Sequence, residues 1–205
     1  MKITEDEQYN EMMLKYNFAM QRLETELNIL LKEYEYKKGY NPVEHIKTRI
    51  KSIDSATKKL KDKNCEVTVD NLIRKVYDMI GVRIVCSFLS DVYDIVDLIK
   101  STKQFIIKRE NNYIDNPKSS GYRSYHLIVL VPIYLGEIVE YIEAEIQVRT
   151  VAMDCWASLD HKLRYKFPNC IPKEVTEGLL ECSKDIDKLD LKMQSLYNIL
   201  REYNN

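Results

Sequence analysis

The chain has 205 residues, 45% of them hydrophobic, with five glycines, five prolines and a formal net charge of −1. That supplies one core with helical extensions, leaves little for disordered linkers, and gives no global sign of a nucleic-acid or membrane-surface binder, so any anion site must be local. No stretch approaches the roughly 18 apolar residues of a membrane span. Met1-Lys-Ile-Thr-Glu-Asp-Glu7 lacks the apolar segment of a signal peptide, so a cytoplasmic protein is expected. Cys65, Cys86, Cys155, Cys170 and Cys182 are odd in number and without C-x-x-C spacing, which predicts free thiols rather than disulfides or a zinc site. Cys155, beside Trp156, reads as a small buried hydrophobe rather than a nucleophile.

In chain order, Tyr9, Met13, Tyr16, Met20, Leu23, Leu27, Leu30 and Tyr34 step by four and three, predicting an amphipathic helix over about 5–38 that stops near Gly39. From His45 to Lys51 an alternating pattern predicts a strand with a basic face, although Pro42 and Glu44 could instead open a helix. Ser52 caps a helix to about Asp62, stacking Ser55 and Lys59 one turn apart, and Thr68 caps another from about Val69. A strand follows at Ile80–Phe88, then a helix carrying Val92, Ile95, Val96 and Ile99, then a short strand at Phe105–Glu110. Tyr125–Ile133 and Ile138–Thr150 form a hairpin around Leu135-Gly136-Glu137. Ala152, Trp156, Leu159 and Leu163 stripe a helix ending near Tyr165.

Val175, Leu179, Cys182, Ile186, Leu189, Met193, Leu196 and Leu200 mirror the first helix over about 173–203. Both stripes fit either packing on the core or subunit assembly. The sum is one α+β domain over 1–205. Its catalytic core spans about 42–166, with a mixed sheet of about five strands between long amphipathic terminal helices.

Two segments carry chemistry that a core does not need. The loop Asn116-Pro-Lys-Ser-Ser-Gly-Tyr-Arg-Ser-Tyr-His126 offers Lys118, Tyr122, Arg123 and His126, suited to phosphates and a flat base. In Glu143-Ala-Glu-Ile-Gln-Val-Arg-Thr150, Glu143, Glu145, Gln147 and Arg149 share one strand face and Ala144, Ile146 and Val148 the other. The two motifs, in this order and spacing, resemble the synthetase domain of the RelA/SpoT family, the bacterial alarmone synthetases. The resemblance runs from about Pro42 to Tyr165, and the chain's length is that of the small, single-domain members.

The resemblance implies a nucleotidyltransferase-like sheet. It also implies transfer of the β,γ-pyrophosphate of ATP to the ribose 3'-hydroxyl of a guanine nucleotide (GMP, GDP or GTP), with Mg²⁺. Such chemistry needs cations for the donor phosphates, carboxylates for the metal, planar groups for two bases, and a group to take a proton. By resemblance, Arg49 packs on adenine with Arg83 as a second jaw, while Lys51, Ser55 and Lys59 touch phosphates. Asp78, in the pattern D-x-x-G-x-R, and Glu145 hold the metal, two carboxylates being enough for Mg²⁺. Glu145 is also a candidate base, with Glu143 its understudy. Tyr122 stacks on guanine, Lys118 and His126 address acceptor phosphates, Gln147 lines the site, and Asp154 reaches the guanine edge.

Two departures bear on the acceptor. Where relatives have R-x-K-D, this chain has Arg109-Glu110-Asn111-Asn112, and Ser120 stands where asparagine usually precedes Gly-Tyr. Competing readings are the same transfer to an adenine nucleotide or the 3' end of tRNA, or a non-catalytic nucleotide or RNA sensor; Asp78 and Glu145 speak against the sensor. No alarmone hydrolase is expected, because Asp160-His161 has no partner His cluster. A homo-oligomer through the terminal helices, a tetramer by resemblance, is the expected assembly, and a regulatory alarmone or single-stranded RNA is a further partner to consider.

Overall fold

The computed structural model describes residues 5–166 and 171–203, so Cys170 lies outside the described residues. Within them the order is α1 (Glu5–Lys38), β1 (Val43–Ile50), α2 (Ile53–Asp62), α3 (Val69–Lys75), β2 (Ile80–Cys86), α4 (Leu89–Ser101), β3 (Ile106–Asn112), β4 (Tyr125–Leu135), β5 (Ile138–Thr150), α5 (Val151–Lys166) and α6 (Lys173–Tyr203). The expected α+β class and five-stranded mixed sheet are both present. The segment after Pro42 is a strand, and Ser52 and Thr68 cap α2 and α3 by accepting from the amides of Ser55 and Asn71. No described helix is long and apolar enough to cross a membrane.

The strands run β1-β2-β5-β4-β3, antiparallel throughout except for the parallel pair β2–β5. Alternation along each strand separates two faces. Val82, Ile84, Leu127, Val129, Ala144, Ile146 and Val148 are buried on one, against α1 and α4. α1 covers this face with Met12, Tyr16, Ala19, Leu23, Leu27 and Leu31, while Tyr9, Met13, Met20 and Leu30 pack partly buried beside them. The first apolar stripe is therefore core.

The last one is not. α6 turns Leu179, Ser183 and Asp190 inward, and Gln194 accepts from the Ser90 amide at 2.8 Å. Tyr197 stacks on Phe88 with ring centroids 4.3 Å apart. Val175, Leu189, Met193, Leu196 and Leu200 are left exposed, and so is Cys182. α5 departs from expectation in the same way: Met153 and Trp156 are buried, but Leu159 and Leu163 are exposed. Cys155 is exposed rather than buried, because Met153 and Trp156, three residues apart, take the inward face of α5 and leave Cys155 on another side of the helix.

Leu23 is fully buried and Ile29 is 55% exposed on the same helix. Leu23→Ala should lower unfolding free energy by about 2–5 kcal/mol, and Ile29→Ala by less than about 0.5 kcal/mol, in urea titrations. Equal losses would contradict the inward assignment of the α1 stripe.

Candidate active site

The opposite face of the sheet is polar, and strand register lays its side chains out in rows. One row reads Arg49, Gly81, Glu145, Ile128 and Arg109 from β1 to β3. The next reads Lys47, Arg83, Gln147, His126 and Asn111. Residues 49, 83, 145, 147 and 126, chosen from separate motifs, thus meet on two adjacent rungs. Gly81 matters at its place in the first row. A Cβ there would lie 3.7 Å from Cγ and Nε of Arg49, so glycine leaves the surface between Arg49 and Glu145 open.

Asp78 ends the approach to β2, where the Lys51 amide donates to the Met79 carbonyl at 2.8 Å. Its two carboxylate oxygens are each taken by a lysine, Lys51 at 2.9 Å and Lys59 at 2.8 Å. Burial pushes the Asp78 carboxyl up, but these two ammonium groups outweigh it and hold it below the ordinary carboxylate value. Ser55, by contrast, bonds to the capping hydroxyl of Ser52 at 2.9 Å and is exposed.

Glu145 sits in a second network. Burial raises its carboxyl and the nearby Asp78 charge adds to this. Bonds from His126 Nδ1 at 3.0 Å and Gln147 Nε2 at 2.6 Å, together with the His126 charge interaction, bring it below its usual value. Both carboxylates are therefore ionised at neutral pH. On its other side, His126 Nε2 meets the Tyr122 hydroxyl at 2.9 Å, and that oxygen accepts from Arg149 Nη2 at 2.9 Å. A carboxylate only accepts, so His126 Nδ1–H donates to Glu145, while Nε2 and the Tyr122 hydroxyl share the second bond. A continuous chain of hydrogen bonds through Arg149, Tyr122, His126 and Glu145 ties loop, sheet and carboxylate together.

Arg149 stands on the strand face that the sequence marks as polar, but sequence reading assigns it no individual role. It is 2% exposed, donates to Gln147 and Tyr122, and pairs with Asp154 at 3.4 Å. Its place on the polar face of β5 was the available signal. Asp154 also takes Arg83 at 3.1 Å, so in this structure it anchors two guanidinium groups. Lys118 lies over the rings of Tyr113 and Tyr122, at 4.6 and 4.9 Å. Glu143 is drawn away to Lys108. Arg123 corrects an expectation: it does not reach toward the site but bonds Asp187 of α6 at 2.5 Å and the Ile114 carbonyl at 3.2 Å.

Two cavities open on this face. One, of about 350 Å³, is lined by Lys47, Arg49, Asp78, Gly81, Arg83, Glu145 and Gln147 among others. The other, of about 570 Å³, is lined by Arg49, Lys58, Arg83, Tyr122, Gln147, Arg149, Lys162 and Arg164, with Asp160 its one acid. They share Arg49, Arg83 and Gln147 as a common wall. A chain of net charge −1 thus concentrates cations around two adjoining, nucleotide-sized spaces, with two ionised carboxylates in the first.

Comparison with known proteins agrees. Residues 48–169 match the region found in RelA / SpoT proteins. The chain is 44% identical over 187 residues to the GTP pyrophosphokinase YwaC of Bacillus subtilis (strain 168), covering 91% of this chain and 89% of that one. The crystal structure of small alarmone synthetase 2 from Bacillus subtilis superposes with a TM-score of 0.83 at 42% identity, over 93% of this chain and 98% of that one. Small alarmone synthetase 1 from the same organism, bound to its product pppGpp, gives 0.87 at 30% identity over 95% and 98%. The chain belongs to the RelA/SpoT family.

Proposed function

We propose that this chain is a GTP pyrophosphokinase, moving the β,γ-pyrophosphate of ATP to the 3'-hydroxyl of a guanine nucleotide. The observation that carries it is the pair Asp78 and Glu145, ionised and neighbouring, on the wall of one of two cation-rimmed cavities that meet at Arg49 and Arg83. A two-substrate transfer needs two such spaces and charge control where they join. Its cellular setting is assigned to the cytoplasm, where both nucleotides are found.

In this reading Arg49 and Arg83 grip adenine, their guanidinium planes suited to stacking. Lys51, Ser55 and Lys59 hold the donor phosphates, the two lysines exchanging Asp78 for phosphate oxygens. Tyr122 supports guanine, Lys118 and His126 face the acceptor phosphates, and Gln147 and Asp154 set the positions of Glu145, Arg83 and Arg149 around them. The acceptor 3'-oxygen attacks the β-phosphorus, the bond from it to the α,β-bridging oxygen breaks, and AMP leaves. Glu145 receives the hydroxyl proton.

The residues present also fit Mg²⁺. Asp78 already binds cations through both oxygens, with the two lysine ammonium groups standing where positive charge is wanted. Among the described residues no group of three or more His, Cys, Asp or Glu could hold a metal by itself. Mg²⁺ typically takes one or two carboxylates, the rest of its shell coming from substrate phosphates and water. When bound there, Mg²⁺ would neutralise charge building on the transferred phosphates.

With labelled ATP and GMP, GDP or GTP, the wild-type protein should form labelled alarmone and AMP in equal amounts. Glu145→Gln and Asp78→Asn should each slow this at least ~10²-fold while keeping the far-ultraviolet circular dichroism. Near-wild-type rates at saturating Mg²⁺ would remove the metal and base assignments.

The two base grips should separate kinetically. Tyr122→Ala should raise the acceptor KM by roughly 5-fold or more, as loss of a base–aromatic stack worth about 1–3 kcal/mol requires, with little change in the KM for ATP. Arg49→Ala should do the reverse, and the opposite pattern would exchange the two cavities.

We further propose that the exposed seam of α6 mediates a homo-oligomer, a tetramer. Leu189 and Leu196, seven residues apart, are 49% and 48% exposed, with Met193 between them. Leu189→Glu with Leu196→Glu should dissociate the assembly, since unpaired charge is costly in an apolar interface. Light scattering giving the 24.3 kDa monomer mass for the unsubstituted protein at micromolar concentration would refute it.

A further inference from the structure

Tyr122 owes its place to two neighbours that α6 holds. The Ser183 hydroxyl, 4% exposed, donates to the Gly121 carbonyl at 2.5 Å. Contact is so close that a Cβ on Gly121 would lie 2.7 Å from Ser183 Cβ and 3.2 Å from Leu180 Cδ1. The same glycine has a φ of +90°, and its amide donates to the Lys118 carbonyl at 2.8 Å. One turn along α6, Asp187 accepts from Arg123 at 2.5 Å, and the same Arg123 nitrogen donates to Ile114 at the start of the loop. Asp190, on the same helix face, accepts from Thr150 at 2.8 Å, and Thr150 caps α5 through the Met153 amide.

Positions 183, 187 and 190 fall at i, i+4 and i+7, one stripe of a helix. After Leu179, which packs inward beside Trp156, the inward stripe of α6 is polar, while Leu189, Met193 and Leu196 lie exposed on the outside. Buried polar groups destabilise unless they find partners, and here Ser183 and Asp187 find theirs in the loop while Asp190 finds its own in Thr150 at the end of β5. Residues 121 and 123 are both fastened, and residue 122 between them points its ring at the site.

We propose that Ser183 and Asp187 are positioning residues for the acceptor. They fix the backbone on either side of Tyr122, so that acceptor affinity depends on a helix lining neither nucleotide cavity. This rests on the assignment of Tyr122 to the acceptor base. A loose loop would still reach the bound geometry part of the time, so the loss falls on acceptor binding rather than on donor binding or the chemical step.

Ser183→Ala and Asp187→Asn are to be compared with wild type by steady-state kinetics, thermal unfolding and hydrogen exchange of residues 117–126. The expected result is a roughly 3–10-fold rise in acceptor KM, the scale of one lost hydrogen bond, with ATP KM and kcat changed less than about 2-fold. Amides 118–123 should exchange faster at an otherwise wild-type protection pattern. The exchanged pair Arg123→Asp with Asp187→Arg should recover acceptor KM relative to either single change. Unchanged loop exchange, an unchanged acceptor KM, or equal losses for both substrates in step with lower thermal stability would overturn the proposal. So would failure of the exchanged pair to recover. Absence of transfer by the wild type would instead count against the assigned activity, and loop exchange would still decide whether α6 fixes the loop.

Discussion

The parallel pairing of β2 with β5 is the constraint on which the rest depends. It sets Gly81 beside Glu145 and Arg83 beside Gln147, and so brings the segment following Asp78 against the strand that carries the second carboxylate. Parallel neighbours cannot be joined by a tight turn, and α4, β3 and β4 fill the connection between them. Because side chains alternate, a slip of one residue in this pair would send Glu145, Gln147 and Arg149 to the apolar face and Ile146 and Val148 to the site. Buried Ala144, Ile146 and Val148 against α1 and α4 make that slip costly. Hydrophobic burial on one side thereby fixes the polar geometry on the other.

On the polar side, each of three site carboxylates has its donors. Asp78 is matched by two lysines, Glu145 by histidine and glutamine, and Asp154 by two arginines. Such mutual satisfaction holds charged groups in a partly buried site that would otherwise shift their ionisation. It also defines what substrates must do. Donor phosphates would compete with Asp78 for Lys51 and Lys59, and an acceptor base would compete with Lys118 for the face of Tyr122.

Local patterns made much of this legible in the sequence. The caps Ser52 and Thr68, the alternation in β1 and β5, and the 3–4 steps of α1 each reflect neighbours a few residues apart. Fold class and most site residues follow from them and from the family resemblance. What was missed depends on partners far along the chain. Arg123 reads as one of several loop side chains suited to phosphates or a flat base, until Asp187, 64 positions away, claims it. The α6 stripe reads as a face for packing or for subunit assembly, yet Ser183, Asp187 and Asp190 turn inward because Gly121, Arg123 and Thr150 present polar groups there. Cys155, Leu159 and Leu163 have helical spacing suited to burial, but no element covers that side of α5 among the described residues.

The most direct test of the account is a crystal of the protein grown with Mn²⁺ and a non-hydrolysable ATP analogue, examined by anomalous scattering. The predicted result is a metal peak at Asp78 and Glu145, against the analogue's phosphates, with adenine held between Arg49 and Arg83. A metal bound elsewhere, or adenine seated on Tyr122, would contradict it.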